Sequence, residues 1–195
     1  MHPTTKPPGR PRCEAARQAI LRATKKLLKT TTLRDLAIEA IAKEAGVGKT
    51  TIYRWWPNKA AIVIDAFFDC AYPKTGFPEA PTAAQAIAEK FRRVVETFRS
   101  REGRIVAELI AEGQSDPTVL QHFRSACLQH WRTAARAVIA QGIAAGEFAA
   151  DLDIELAMDL IWAPIYFRLL VAHQPLDDAF AEALPKMALQ ALRAG

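Results

Sequence analysis

The sequence predicts an all-α protein of about nine helices. Half of the residues are hydrophobic, with alanine prominent, and β-branched runs are few. No alternating apolar/polar segment is long enough to specify a strand, whereas apolar residues recur at helical spacing through most of the chain. With 195 residues the chain can bury a core, either as one large domain or as a small domain joined to a larger one.

Charge favours two parts. Residues 1–60 carry 13 Lys/Arg against 4 Asp/Glu, and residues 61–195 carry 13 against 17. So basic a segment points to a polyanion, nucleic acid being the commonest, although composition alone also fits a merely solubilising basic face. Cys13, Cys70 and Cys127 lack paired spacing, which suggests a reducing, cytoplasmic setting. The most apolar run, Leu160 to Ala172, is too short to span a bilayer and contains Pro164 and Arg168; no apolar signal core opens the chain. No membrane partner is expected.

Residues 1–12, MHPTTKPPGRPR, are Pro-rich and basic, the composition of a flexible arm. Arg10 and Arg12 fit either a disordered tail or an arm laid in an A·T-rich minor groove. From Cys13 to about Lys29, Ala16, Ile20, Ala23 and Leu27 mark one face of helix 1. Thr30 to Thr32 favour its end. A second helix is expected from Ile38 to Ala45. Gly46 then permits a sharp turn, Val47 plugs the angle, and a third helix opens at Gly48 or Lys49 with Ile52 and Trp56 inward. Two short helices joined by a Gly-containing turn form a helix-turn-helix.

The run Ile41 to Lys59, IAKEAGVGKTTIYRWWPNK, resembles in order the DNA-binding signature of TetR-family transcriptional regulators. The resemblance implies that Lys49, Thr50, Thr51, Tyr53, Arg54 and Lys59 meet DNA while Ile52 and Trp56 hold the recognition helix on the core. The chemistry is compatible: Lys49, Tyr53 and Lys59 suit phosphate, Thr50 and Thr51 suit base edges, and Arg54 suits either. Two positions depart from the family pattern. Ala37 stands where a Thr usually caps the second helix, leaving Asp35 to cap or the helix to begin differently, and Thr50 stands where Gly or Ala is common. Gly48-Lys49-Thr50 also matches the tail of a phosphate-binding loop. The first glycine of that motif would fall at Lys43, however, and the preceding residues have helical rather than buried-strand periodicity.

Asn58 is a suitable cap for a fourth helix from Lys59 to Tyr72, and Gly76 and Pro78 mark the loop that follows. Helix 5 runs from Thr82 to about Ser100, with Ile87, Phe91, Val94 and Phe98 on one stripe. Helix 6 follows Gly103 with Ile105 and Leu109. Helix 7 starts at Asp116-Pro117 and aligns Leu120, Phe123, Cys127, Trp131, Ala134 and Val138 before Gly142 and Gly146. Helix 8, Asp153 to His173, is apolar around most of its circumference and suits burial on two sides. Helix 9, Asp177 to Leu192, contains Pro185, which should kink or split it. The expected division is therefore 1–12 arm, 13–60 DNA-binding domain and 61–195 helical domain.

Gly146-Glu147-Phe148 and Arg168-Leu169-Leu170 are similar to the C-terminal domain of one TetR branch. The resemblance implies a small-molecule inducer held among helices 4 to 8 and a homodimer through helices 8 and 9. Phe91, Phe98, Leu109, Phe123, Cys127, Trp131, Trp162 and Tyr166 can each be ordinary core or pocket lining. Arg168 suits an anionic ligand, an ion pair or a snorkelling position. His122, Cys127 and His130 share a helix but lack the further ligands of a metal site. No catalytic constellation, metal site or cofactor is expected. The predicted activity is that of a cytoplasmic transcriptional regulator, a repressor released from a near-palindromic double-stranded operator by an inducer. The competing classes are an architectural DNA-binding protein without a ligand and a small-molecule-binding enzyme.

Overall fold

The structure is a computed structural model describing residues 10–71 and 76–193, all helix, turn or loop. Its helices are α1 (Arg10–Leu27), α2 (Ile38–Ala45), α3 (Lys49–Tyr53), α4 (Lys59–Ala71), α5 (Ala83–Arg99), α6 (Arg101–Ser115), α7 (Pro117–Phe123), α8 (Gln129–Ala144), α9 (Ile154–Val171) and α10 (Asp178–Arg193). A π-helical segment, Arg124–Leu128, joins α7 to α8 without a break in helical φ/ψ.

The chain forms two compact units divided between Cys70 and Ala71. The boundary lies ten residues beyond the expected one, so that α4 belongs almost entirely to the first unit. The reason is local: Asn58 Oδ1 accepts from the Ala61 amide at 2.9 Å and starts α4, and the α4 residue Asp65 takes the Trp56 indole N–H at 2.8 Å. The arm expected over residues 1–12 falls mostly outside the described residues. Its last three residues form the first turn of α1. Pro11 is compatible there because first-turn amides have no intrahelical acceptor.

In the first unit α1, α2 and α3 pack on one another. Ile20, Leu21, Leu28, Leu33, Leu36, Ile41, Ile52 and Trp56 supply its buried side chains. Gly46 has the left-handed φ of 67° and closes α2 through amide bonds from Gly46 to the Lys43 carbonyl and from Val47 to the Ala42 carbonyl. The start of α2 has no side-chain cap: Ala37 occupies the position, and Asp35 instead accepts the Thr32 hydroxyl at 2.7 Å.

In the second unit α5 packs on α6, α8 and α10, and α9 on α6, α8 and α10. The core centres on Ile87, Phe91, Ile139, Met158, Ile161 and Trp162. Helix α6 starts at Arg101, capped by Ser100, and takes Gly103 into its first turn. The expectation that the helix follows Gly103 is therefore corrected. A Cβ there would lie 2.1 Å from the Phe98 carbonyl oxygen, so glycine serves a close backbone approach rather than a break. Both Pro164 and Pro185 sit inside continuous helices, and Pro185 does not split α10.

The π-helical segment corrects the single face expected for helix 7. One additional residue in the turn advances the buried side by one position. Beyond it the buried residues are Ala135 and Ile139, not Ala134 and Val138.

Gly146-Glu147-Phe148 has a structural explanation. Gly146 adopts φ 72° at the end of α8. The Glu147 carboxylate accepts the Ala83 and Ala84 amides at 3.0 Å each, which supplies acceptors to the first turn of α5. Phe148 then lies on Gly142, where a Cβ would stand 2.2 Å from the ring.

Two stability changes follow. Ala37→Thr supplies the missing cap of α2 and should raise unfolding stability by about 1 kcal/mol; an unchanged denaturation midpoint would reject that assignment. Gly142→Ala should destabilise by about 1–3 kcal/mol through overpacking against Phe148, read as a lower Tm in thermal unfolding.

Candidate DNA reader and cavity

The reader is built by burying one side of a very short helix. Ile52 is fully buried and Trp56 nearly so. Arg54 to Trp56 extend α3 as a turn, with amide bonds from Arg54 to the Thr50 carbonyl and from Trp55 and Trp56 to that of Ile52. The third helix, which opens at Lys49, is thus regular only through Tyr53. The Trp56 N–H on Asp65 ties this turn to α4. Arg17 of α1 lies 3.8 Å from Asp65 and 6.0 Å from the ring centroids of both Trp55 and Trp56. Neither Asp65 nor Arg17 was legible as a support; the available signal was a lone carboxylate in the apolar stretch Lys59 to Phe68.

With that side buried, the opposite side is open. Lys49, Thr50, Tyr53 and Arg54 are exposed and Thr51 is half-buried; Tyr53 keeps 54% of its surface accessible. Lys49 Nζ pairs with Glu39 at 2.9 Å, and this hydrogen bond raises the lysine pKa and lowers that of the carboxyl. Lys59 is half-buried and donates to the Arg34 carbonyl at 2.6 Å. The structure therefore gathers Lys49, Thr50, Tyr53 and Arg54 on one accessible side of the reader and holds Lys59 at the start of α4. Arg10 and Arg12 lie in the first turn of α1.

The second unit contains an open-sided cavity of about 380 Å³, within the range of small-molecule sites. Of the eight candidate lining residues, Phe123, Trp131, Trp162 and Tyr166 line it, together with Ile110, Leu120, Arg124, Leu128 and Met158 among others. The other four do not. Phe91 is core and meets Trp162 edge-on at 4.3 Å, and Phe98 meets Tyr166 at 5.4 Å. Leu109 is fully buried, and its neighbour Ile110 faces the cavity. Cys127 is buried in the π-helical turn, whose wider spacing brings Leu128 to the wall instead.

Trp131 and Trp162 cross edge-to-face at 4.4 Å. The Trp162 indole nitrogen is buried without a hydrogen-bond partner. Burial pushes the Tyr166 phenol above its ordinary pKa, and the nearby Cys127 adds to the rise. On the charged side, Arg132 binds Asp159 at 2.5 Å and Glu155 at 2.6 Å, and Arg136 also pairs with Glu155. Arg168 is elsewhere: it donates to the Pro175 carbonyl at 2.5 Å and covers the Phe180 ring at 3.9 Å. His130 is exposed while Cys127 is buried, and no group of three or more potential metal ligands occurs among the described residues.

Two features escaped sequence reading. Lys90 is buried, donating to the Gly76 carbonyl at 3.2 Å above Phe77, and desolvation lowers its pKa. Arg124, the first residue of the π-helical segment, lies in the cavity wall; nothing in the local periodicity marks such a segment.

A helix-turn-helix with one open polar side, joined to a helical unit containing an aromatic cavity, agrees with the comparisons. Residues 20–66 match the bacterial regulatory proteins of the tetR family, and residues 77–188 match the tetracyclin repressor-like C-terminal domain. An uncharacterized HTH-type transcriptional regulator, YdeS of Bacillus subtilis (strain 168), is 35% identical over 186 residues, covering 95% of this chain and 94% of YdeS. The crystal structure of the TetR family transcription regulator SCO0332 is 30% identical with a TM-score of 0.79, covering 92% of this chain and 99% of that one. FadR from Bacillus subtilis, solved with stearoyl-CoA, shares the fold at a TM-score of 0.65 and 19% identity, over 92% of this chain and 99% of FadR. The chain belongs to the TetR family and is a sequence-specific DNA-binding transcriptional regulator, whose fold implies homodimerisation on an operator.

Proposed function

We propose that the protein is a repressor released from its operator by a small molecule bound in the second unit. The observation that carries this reading is the aromatic cavity in the chain that also carries the DNA reader. FadR supports it, since that protein of the same fold was solved with stearoyl-CoA. Release is a linkage effect: a molecule that binds better to the conformation unsuited to DNA weakens operator affinity by its differential affinity. Helix α4 is the proposed transmitter, because Trp56 and Asp65 tie it to the reader and its chain continues into the second unit.

The proposed dimer interface is the open face of α9 and α10. Leu156, Leu160, Phe167, Leu170, Val171 and Met187 are exposed although large and apolar. A groove of about 600 Å³ lined by Leu160, Pro164, Phe180 and Met187 runs between the two helices. Helix α9 buries Met158, Ile161, Trp162 and Ile165 on its other side, which leaves this face for a second copy. Two readers then meet two half-sites about one helical turn, or a multiple of it, apart.

Selection of duplexes from a random DNA pool should return a near-palindrome; a pool without preferred sequences would reject the repressor reading. Tyr53→Ala and Lys59→Ala should weaken binding to every duplex, whereas Thr50→Ala and Thr51→Ala should change the preferred sequence. Identical preference profiles in all four variants would remove that division of roles. Leu160→Glu with Met187→Glu should convert a dimer to a monomer in sedimentation, and an unchanged mass would place the interface elsewhere.

A further inference from the structure

The charges on the cavity wall do not cancel. Two arginines and one carboxylate line it, Arg124, Arg132 and Asp159. Arg132 is already occupied by Asp159 and Glu155, and Glu155 by Arg136 as well. The Arg124 side chain remains, exposed and with no hydrogen bond or ion pair among the described residues. The rest of the lining is largely apolar and aromatic, with Trp131, Trp162 and Tyr166 from α8 and α9, Phe123 at the end of α7 and Leu128 at the end of the π-helical segment.

We propose that this cavity takes a compact aromatic carboxylate, its ring held among Trp131, Trp162 and Tyr166 and its carboxylate on the Arg124 guanidinium. This rests on the reading that the second unit holds an effector, and specifies its chemistry. Rings of Trp and Tyr favour an aromatic guest through edge and face contacts. A volume of about 380 Å³ lies near the lower end of small-molecule sites and suits one or two fused rings rather than a long chain. A single unpaired guanidinium matches a monoanion, which it can bind through two parallel N–H donors. The second charge of a phosphate would find no further unpaired arginine in the lining, because Arg132 is held by Asp159 and Glu155. Arg124 and Leu128, the two ends of the π-helical segment, both belong to this lining, as does Phe123 just before it.

The test uses the full chain, titrated calorimetrically with 2-naphthoate and with the neutral, similarly shaped 2-naphthamide. The acid should bind saturably and about tenfold or more tightly than the amide. Arg124→Gln should bring the acid down to the amide, while Arg124→Lys keeps part of the difference; circular dichroism of both variants verifies folding. No saturable binding of naphthoate, equal affinity for acid and amide, or an unchanged Arg124→Gln variant would overturn the proposal. Operator release is measured separately with a labelled duplex. Release by a neutral compound while naphthoate stays inert rejects the anionic class and leaves the repressor reading standing. Tight, Arg124-dependent naphthoate binding without release supports the site and counts against the repressor reading.

Discussion

Burial of Trp56, with its indole N–H on Asp65, is the constraint on which the reader depends. Five residues of helix cannot sustain themselves in water, because nucleation costs more than so few hydrogen bonds return. Helix α3 is therefore held by tertiary contacts: Ile52 inside, Trp56 inside, and a hydrogen bond that gives the buried indole nitrogen its acceptor. Once those two side chains are fixed, helical geometry leaves Lys49, Thr50, Tyr53 and Arg54 outside. The same contact makes α4 part of the reader's foundation, so the link to the second unit begins inside the first unit's own packing.

The second unit is organised by a comparable economy of contacts. Its loop after α8 returns a carboxylate to the first turn of α5, more than sixty residues earlier in the chain, and lays Phe148 on a helix surface kept bare by Gly142. One short segment thereby satisfies backbone donors and seals the core beside them. The resemblance had marked Gly146-Glu147-Phe148 as a shared pattern; the geometry supplies its physical reason.

Much of the fold was legible because its signals are local. Gly46, Asn58, Thr82, Asp116-Pro117 and Asp153 each mark a helix end through a backbone angle or a capping oxygen, and each serves that role in the structure. Ile52 and Trp56 were readable from their four-residue spacing. What periodicity could not carry was a change of period. The π-helical turn moved the buried face by one residue, replacing Ala134 and Val138 with Ala135 and Ile139, and exchanged Cys127 for Leu128 on the cavity wall. Nor could it reveal partners distant in sequence, such as Asp65 for Arg17 or Glu147 for Ala83 and Ala84. Phe91 and Leu109 illustrate a third limit: core and cavity wall draw on the same apolar residues, and only the packing distinguishes them.

The Lys49–Glu39 pair has a consequence for recognition. A lysine already held by a carboxylate does not gain a new partner when it meets a phosphate; it exchanges one anion for another. The free-energy change is the difference between two ion pairs, both in a solvent-exposed setting where each is weak. Part of its rotamer entropy is already lost in the pair, which would lower the ordering cost of such an exchange. In the proposed reader Lys49 would then serve less as a source of raw attraction than as a positioned ion exchanger beside its threonine neighbours.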